Sequence, residues 1–412
     1  MTRTLILAVL LALPASAQTA PQVEAPPSSD AAGFLHGTVR AKSGTAYRGL
    51  IRWGTQEFFW DDLFNADKRE LPHLEDAPPE ARRRGERELT ILERVFRVVW
   101  DDDEHHVSRQ LWLRFGDIAK IESAGRGRAR VTMKNGTVYE AEGGGNDLSD
   151  ALHVWDPTLG EIDVEWRSIE SVEFSPSPAG VKPPGSRLSG KARTAAGEFS
   201  GFIQWDAEEC ITIDKLDGDG PDGRLSIEMG KIRSLERASR RSTRVVLADG
   251  RSLELSGTND VDSSIRGIYV EDPRYGRVEI SWDAFERLDF DPPGGSGPGY
   301  DAFRPASLLS GTVTSRGKAL SGRLIFDLDE TDGHEILQGS REGVEFYIPF
   351  SLVAAIEPRG SSASLVRLRS GEELRLEDGQ DVSEDNSGLL VFTGPAEPTY
   401  VPWDEVQSVR FD

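Results

Sequence analysis

The 412 residues carry 70 acidic and 48 basic side chains, a formal net charge of −22. So acidic a chain lacks the basic face that DNA or RNA binding requires, and an anionic membrane surface is disfavoured for the same reason. Its length calls for several domains, and its single cysteine, Cys210, excludes an internal disulfide, so packing must hold them together.

Arg3, the apolar residues 5–13 and the small-residue site Ala15-Ser16-Ala17 read as a secretory signal, with cleavage expected after Ala17. The apolar run is too short for a bilayer span, which takes about 20 residues, and no later stretch reaches that length. The expected address is periplasmic or extracellular. Residues 18–33, rich in Ala, Pro and Ser, read as a disordered linker.

Two further Pro/Gly/Ser stretches, 175–187 and 291–307, divide the remainder into blocks at 34–174, 188–290 and 308–412. The blocks are copies of one another. Each opens with a similar phrase, LHGTVRAKSGTAYRGLIRW from Leu35, LSGKARTAAGEFSGFIQW from Leu188 and LSGTVTSRGKALSGRLIF from Leu309. They close with VEWRSIESVEF from Val164, ISWDAFERLDF from Ile280 and VPWDEVQSVRF from Val401.

Each block is in turn a pair of halves. The halves carry alternating strands around glycine turns, at Gly44, Gly197 and Gly317 in the first and Gly136, Gly250 and Gly371 in the second. Every half then ends on one apolar rhythm, seen first in Leu113, Phe115, Ile118 and Ile121 and again from Val164, Ile227, Ile280, Ile348 and Val401. A step of two followed by steps of three predicts a strand, one 3₁₀ turn and a final strand. That order is how small five-stranded barrels of the SH3-like type close. The expected fold is therefore all-β, with three duplicated repeats making six tandem SH3-like barrels. An Sm-like barrel would need a helix before each hairpin, and no helical periodicity stands there.

Block one contains an insertion at about 68–106. Residues 79–99 suit a helix with Leu92, Val95, Phe96 and Val99 on one face, while residues 95–115 read equally well as a long hairpin. Arg82, Arg83 and Arg84 form the one notable basic cluster and are the first candidates for a partner contact.

Secreted barrels can bind glycans through open aromatic faces, which draws attention to the repeat-equivalent Trp166, Trp282 and Trp403, with Trp53 and Trp205 behind them. Each lies in the apolar phase of its strand, where core packing is the default. Asn146-Asp147, Asn259-Asp260 and Gln380-Asp381 recur as polar pairs of the kind that order turns. Asp217, Asp219 and Glu228 partly match a calcium loop, but Pro221 and Asp222 break it. His105 and His106 follow four acids, yet adjacent histidines on a strand point to opposite faces. Cys210 sits in an apolar run as a small hydrophobe. No nucleophile elbow, zinc-protease helix, phosphate loop or dinucleotide fingerprint is present in the sequence.

These readings lead to an exported non-enzymatic interaction or scaffold protein of the envelope, with a protein or cell-wall polymer as partner. No cofactor, metal site, nucleic acid or membrane span is expected. A carbohydrate or peptidoglycan binder using the repeated tryptophans is the first alternative, and a calcium-stabilised adhesion module the second.

Overall fold

The computed structural model describes residues 31–412, apart from 72, 80, 82–108, 126, 144–146 and 396. Arg82, Arg83, Arg84, His105, His106 and most of the expected helix or hairpin of the insertion lie outside the described residues. The chain is all-β, and among the described residues no helix is long and apolar enough to cross a membrane.

Block one holds β1 (His36–Ala41), β2 (Ala46–Trp53), β3 (Leu63–Lys68), β4 (Arg109–Arg114), β5 (Ile118–Gly125), β6 (Arg128–Met133), β7 (Val138–Glu142), β8 (Leu152–Asp156), β9 (Gly160–Val164) and β10 (Ile169–Phe174). Block two holds β11 (Ser189–Thr194), β12 (Gly197–Trp205), β13 (Lys215–Gly220), β14 (Gly223–Glu228), β15 (Ile232–Ser239), β16 (Ser242–Leu247), β17 (Ser252–Ser256), β18 (Ile268–Asp272), β19 (Gly276–Ile280) and β20 (Phe285–Phe290). Block three holds β21 (Ser310–Ser315), β22 (Lys318–Ile325), β23 (Ile336–Arg341), β24 (Val344–Pro349), β25 (Val353–Pro358), β26 (Ala363–Leu368), β27 (Glu373–Glu377), β28 (Leu389–Phe392), β29 (Thr399–Val401) and β30 (Val406–Phe411).

Block one forms an antiparallel sheet in the order β4-β3-β7-β6-β5-β10-β1-β2-β8-β9. The pairings of blocks two and three follow the same order, and β19 of block two adds to β24 of block three, with Arg277 opposite Tyr347. Two large sheets result. No closed barrel is found among the described residues.

The halves of a block are interleaved. The first hairpin, β1–β2, pairs with β10 and β8 of the second half, while β3 pairs with β7. This departs from six modules that each close on themselves. The cause lies between β2 and β3. There Trp53 N–H donates to the Glu57 carbonyl at 2.7 Å, and the Asp62 carboxylate accepts from the Phe58 and Phe59 N–H groups at 2.7 and 2.8 Å. The chain thus reverses outside the ladder, and β3 is delivered to the other half.

Local signals fared better. Gly136, Gly250 and Gly371 hold φ of +92°, +90° and +91°, the left-handed backbone that their turns require. The apolar rhythm ends on a 3₁₀ turn at Phe115–Asp117, Trp166–Ser168, Met229–Lys231, Phe350–Leu352 and Trp403–Glu405. At the sixth position the Ser281 carbonyl accepts from both Ala284 and Phe285 N–H, a turn of related geometry.

The segments read as linkers are partly built in. Ala31 is fully buried, and Gly33 N–H donates to Ser296 Oγ at 2.9 Å, so the tether is fixed at its end. Within 291–307, Phe303 joins the core of block one, and Tyr300 OH donates to the Ile118 carbonyl. The described start of the insertion packs on block three, with Ala77 and Ala81 buried against Ile325, Leu328 and Leu390.

Gly201 marks where β12 leaves its hairpin partner for β18. A Cβ there would lie 1.9 Å from the Glu271 carbonyl oxygen, and the same clash recurs at Gly49 and Gly322. Because the obstacle is backbone, Gly201→Ala is expected to cost at least about 3 kcal/mol in urea unfolding, the upper end for overpacking. Gly295→Ala, with nothing within 4 Å, is expected to stay within about 1 kcal/mol of wild type. Equal effects of the two would refute the close-approach reading.

Candidate functional site

The turn that redirects each block repeats one chemical pattern, an aromatic residue, a glutamate four residues on and an acid five further. Block one supplies Trp53, Glu57 and Asp62; block two Trp205, Glu209 and Asp214; block three Phe326, Glu330 and Glu335. Asp214 accepts the N–H groups of Cys210 and Ile211 at 2.8 and 3.0 Å, and Glu335 those of Thr331 and Asp332, as Asp62 does in block one.

Each closing acid also meets a cation from another block. Arg277 of block two reaches Asp62 at 2.9 Å, Arg52 of block one reaches Asp214 at 3.2 Å, and Lys68 of block one reaches Glu335 at 2.6 Å. Arg187, just ahead of block two, pairs with Asp61 at 2.8 Å between the rings of Phe59 and Phe202. Burial works against the charges of Arg277 and Lys68, but their carboxylate neighbours outweigh it and hold both protonated.

The three glutamates of the pattern are buried, and Glu57 Oε2, Glu209 Oε2 and Glu330 Oε2 have no hydrogen-bond partner among the described residues. Close by stand Asp147, Asp260 and Asp381, whose carboxylates accept the N–H groups of Asn65, Asp217 and Gln338 at 2.6, 2.6 and 2.7 Å. Burial pushes Glu209 up to about 9, with Asp260 and Asp206 adding to the effect. It likewise pushes Asp147 up to about 7 and raises Glu57 well above the ordinary range. The recurrent aspartates thus do not bond their own turns, as the sequence suggested: each accepts a strand N–H elsewhere in its own block, in β3, β13 and β23.

In block one this acid pair opens onto a cavity of about 240 Å³ at the junction of the three blocks. Glu57, Asp147 and Asp150 supply its carboxyl groups, and Trp112, Tyr269 and Tyr347 supply aromatic walls. Trp112 and Tyr347 meet edge to face at 5.2 Å. Gln204 spends its amide N–H groups on the carbonyls of Gln56 and Ala207, both at 2.8 Å, which leaves its Oε1 unpartnered beside Glu57. Arg277 also lines the cavity, but Glu271 and Asp62 hold its guanidinium. Through Leu63, Arg277 and Tyr347 the cavity adjoins an apolar groove of about 610 Å³ walled by Phe202, Pro273, Pro298, Phe303, Ile336 and Pro349. Two unsatisfied acceptors and three acids beside aromatic rings make a site for a group that brings positive charge and N–H donors.

The tryptophans singled out from the sequence lie elsewhere. Trp166, Trp282 and Trp403 are 4–5 % exposed within the block cores, so none offers an indole face on which a sugar would stack. Trp53 and Trp205 are fully buried and donate their indole N–H to the carbonyls of Asp147 and Asp260, both at 2.8 Å. Asp217, Asp219 and Glu228 fall in the hairpin β13–β14, with Asp217 opposite Ser226, so no calcium loop forms there. Cys210 is buried, and burial raises its thiol above the ordinary range. Of the cavity acids, Asp147 was singled out in the sequence only as a turn residue, and Glu57 and Asp150 were missed. Their available signal was the threefold spacing of aromatic, Glu and closing acid.

No family model matches this chain, and no curated protein matches it. Among solved structures it shows similarity to one titled "Streptogramin B lyase structure", at 10 % identity over 72 % of this chain and 94 % of that one. The TM-score is 0.13, at which the likeness carries no argument.

The raised acids set a pH dependence. Glu209, Asp147, Glu271 and Asp381 bind protons more tightly folded than in an unfolded chain, where carboxyls titrate near 4. Between about pH 4 and the folded values the native state therefore holds more protons, and stability falls as pH rises through that window. Exposed acids held low, such as Asp156 and Asp249, act below it. Urea unfolding in chelator is expected to give a higher free energy at pH 5 than at pH 8, by more than about 1.4 kcal/mol, the worth of one pKa unit. A flat or rising profile would contradict these assignments.

Proposed function

We propose that this chain is an exported, non-enzymatic interaction protein of the cell envelope whose junction cavity receives a basic side chain from an extended partner segment. The observation that carries the reading is the cavity itself. Glu57, Asp147 and Asp150 provide carboxyl groups that an entering cation would ionise, Trp112, Tyr269 and Tyr347 provide ring faces, and Glu57 Oε2 and Gln204 Oε1 have no hydrogen-bond partner among the described residues. A lysine or arginine head satisfies all three demands, since aromatic faces attract cations and buried acceptors demand N–H groups. The adjoining apolar groove suits the residues that flank such a side chain.

Several further features support binding over catalysis. The buried Cys210 is not a poised nucleophile, because its thiolate is disfavoured. The repeated blocks keep the strand, 3₁₀ turn, strand order of SH3-like modules, though with halves exchanged and no closed barrel among the described residues, and we take them to be binding modules of that general kind. Among the described residues the residue registers pair β9 with β8 and β14 with β13, at the block positions that β19 and β24 use to pair with each other. A partner segment can extend along a strand edge in such a position.

Fluorescence anisotropy with short extended peptides that differ only at a central Lys, Gln or Glu tests the reading. The Lys peptide is expected to bind best, and Asp150→Asn or Trp112→Ala to weaken it about tenfold, or 1.4 kcal/mol. Equal binding of the three peptides, or preference for soluble wall glycan over all of them, would overturn it.

A further inference from the structure

Block three differs from its sister blocks at one buried spot. In block two, Asp206 is neutralised by Arg266, which donates from its backbone N–H, Nε and Nη2, and Asn259 adds a further bond. The equivalent acid in block three is Asp327, but the position of Arg266 is taken by Ser387, which offers only its backbone N–H. Gln380 stands in for Asn259, and the nearest guanidinium, from Arg109 of block one, lies 3.6 Å from Asp327.

The surroundings are strongly acidic. Asp327, Asp329, Glu330, Glu335 and Asp381 are five buried carboxyl groups, and the cations paired among them are Lys68 and Arg109. Lys68 is committed to Asp329 at 3.0 Å and Glu335 at 2.6 Å. Glu330 is 7 % exposed, and among the described residues neither its Oε2 nor Asp329 Oδ1 has a hydrogen-bond partner. One oxygen each from Asp327, Glu330 and Asp381 lie within 4.8 Å of one another. Oxygens on opposite sides of a calcium ion, each about 2.4 Å from it, stand about 4.8 Å apart. An uncompensated buried carboxylate is costly, so this nest demands positive charge.

We propose that Asp327, Glu330 and Asp381 bind a divalent cation of the hard, oxygen-preferring class, with calcium the best fit. Magnesium usually keeps several waters and rigid octahedral geometry, whereas calcium accepts a dry, carboxylate-rich shell of looser shape. The site is separate from the junction cavity, and it differs from the acidic hairpin at Asp217 and Asp219.

The test uses the mature full-length chain, stripped with a chelator, dialysed against micromolar calcium at neutral pH, with retained metal counted by atomic emission. One calcium per chain is expected for wild type and none for Glu330→Gln. Glu209→Gln, at the block-two equivalent, is expected to keep the ion. Ser387→Arg guards against misfolding: it places in block three the guanidinium that Arg266 supplies in block two. It is expected to abolish retention while leaving the unfolding temperature in chelator unchanged or higher. A wild-type chain that retains no calcium, which would leave a proton on Glu330 as the neutralising charge, overturns the proposal. So does retention that survives both Glu330→Gln and Ser387→Arg.

Discussion

A carboxylate that closes a turn in one block and is neutralised by a cation from another is the interaction on which the rest of this molecule depends. Asp62, Asp214 and Glu335 each do local work, capping backbone N–H groups that no strand can satisfy. They also remain buried or half-buried charges, paired here with cations from outside their own blocks. Arg277, Arg52 and Lys68 complete them from across the block boundaries. Removing water from such pairs costs about as much as their attraction returns, so their main effect is on geometry. A misplaced block would leave several buried charges unpaired at once.

That constraint explains where the chemistry collects. Because the redirecting turns face one another across block boundaries, the glutamates they carry are drawn into or beside the junction. Around Glu57 the junction leaves a cavity bounded by Trp112, Tyr269 and Tyr347. In block two the equivalent space is filled by Arg266 and its partners. Block three has Ser387 in place of that arginine, and there one oxygen each from Asp327, Glu330 and Asp381 lie within 4.8 Å of one another. One ancestral-looking turn thus gives three environments, set by what stands at the positions of Asp150, Arg266 and Ser387.

Much of the architecture was legible in the sequence because it is local. Glycines at Gly136, Gly250 and Gly371 mark turns whose backbone only they adopt easily, and the step of two then three marks strands joined by one tight turn. Strand exchange between halves was not legible. Alternation tells which face a residue occupies, but not which strand lies beside it, and the pairing of β2 with β8 joins residues about a hundred positions apart. The tryptophans were correctly placed in apolar phase, and the structure leaves them no open face. The acids of the junction were hidden by the chain's own composition, since 70 acidic residues make any one pair unremarkable. Only their recurrence at fixed spacing from Trp53, Trp205 and Phe326 set them apart.

Scanning calorimetry of the full chain, wild type beside the double variant Lys68→Met, Arg277→Met, bears most directly on the claim that cross-block pairs unite the molecule. Wild type is expected to unfold in one transition, with calorimetric and van't Hoff enthalpies in agreement. The double variant is expected to show separate transitions as the blocks lose their common junction. Three independent transitions in wild type, or one undivided transition in the variant, would contradict the account.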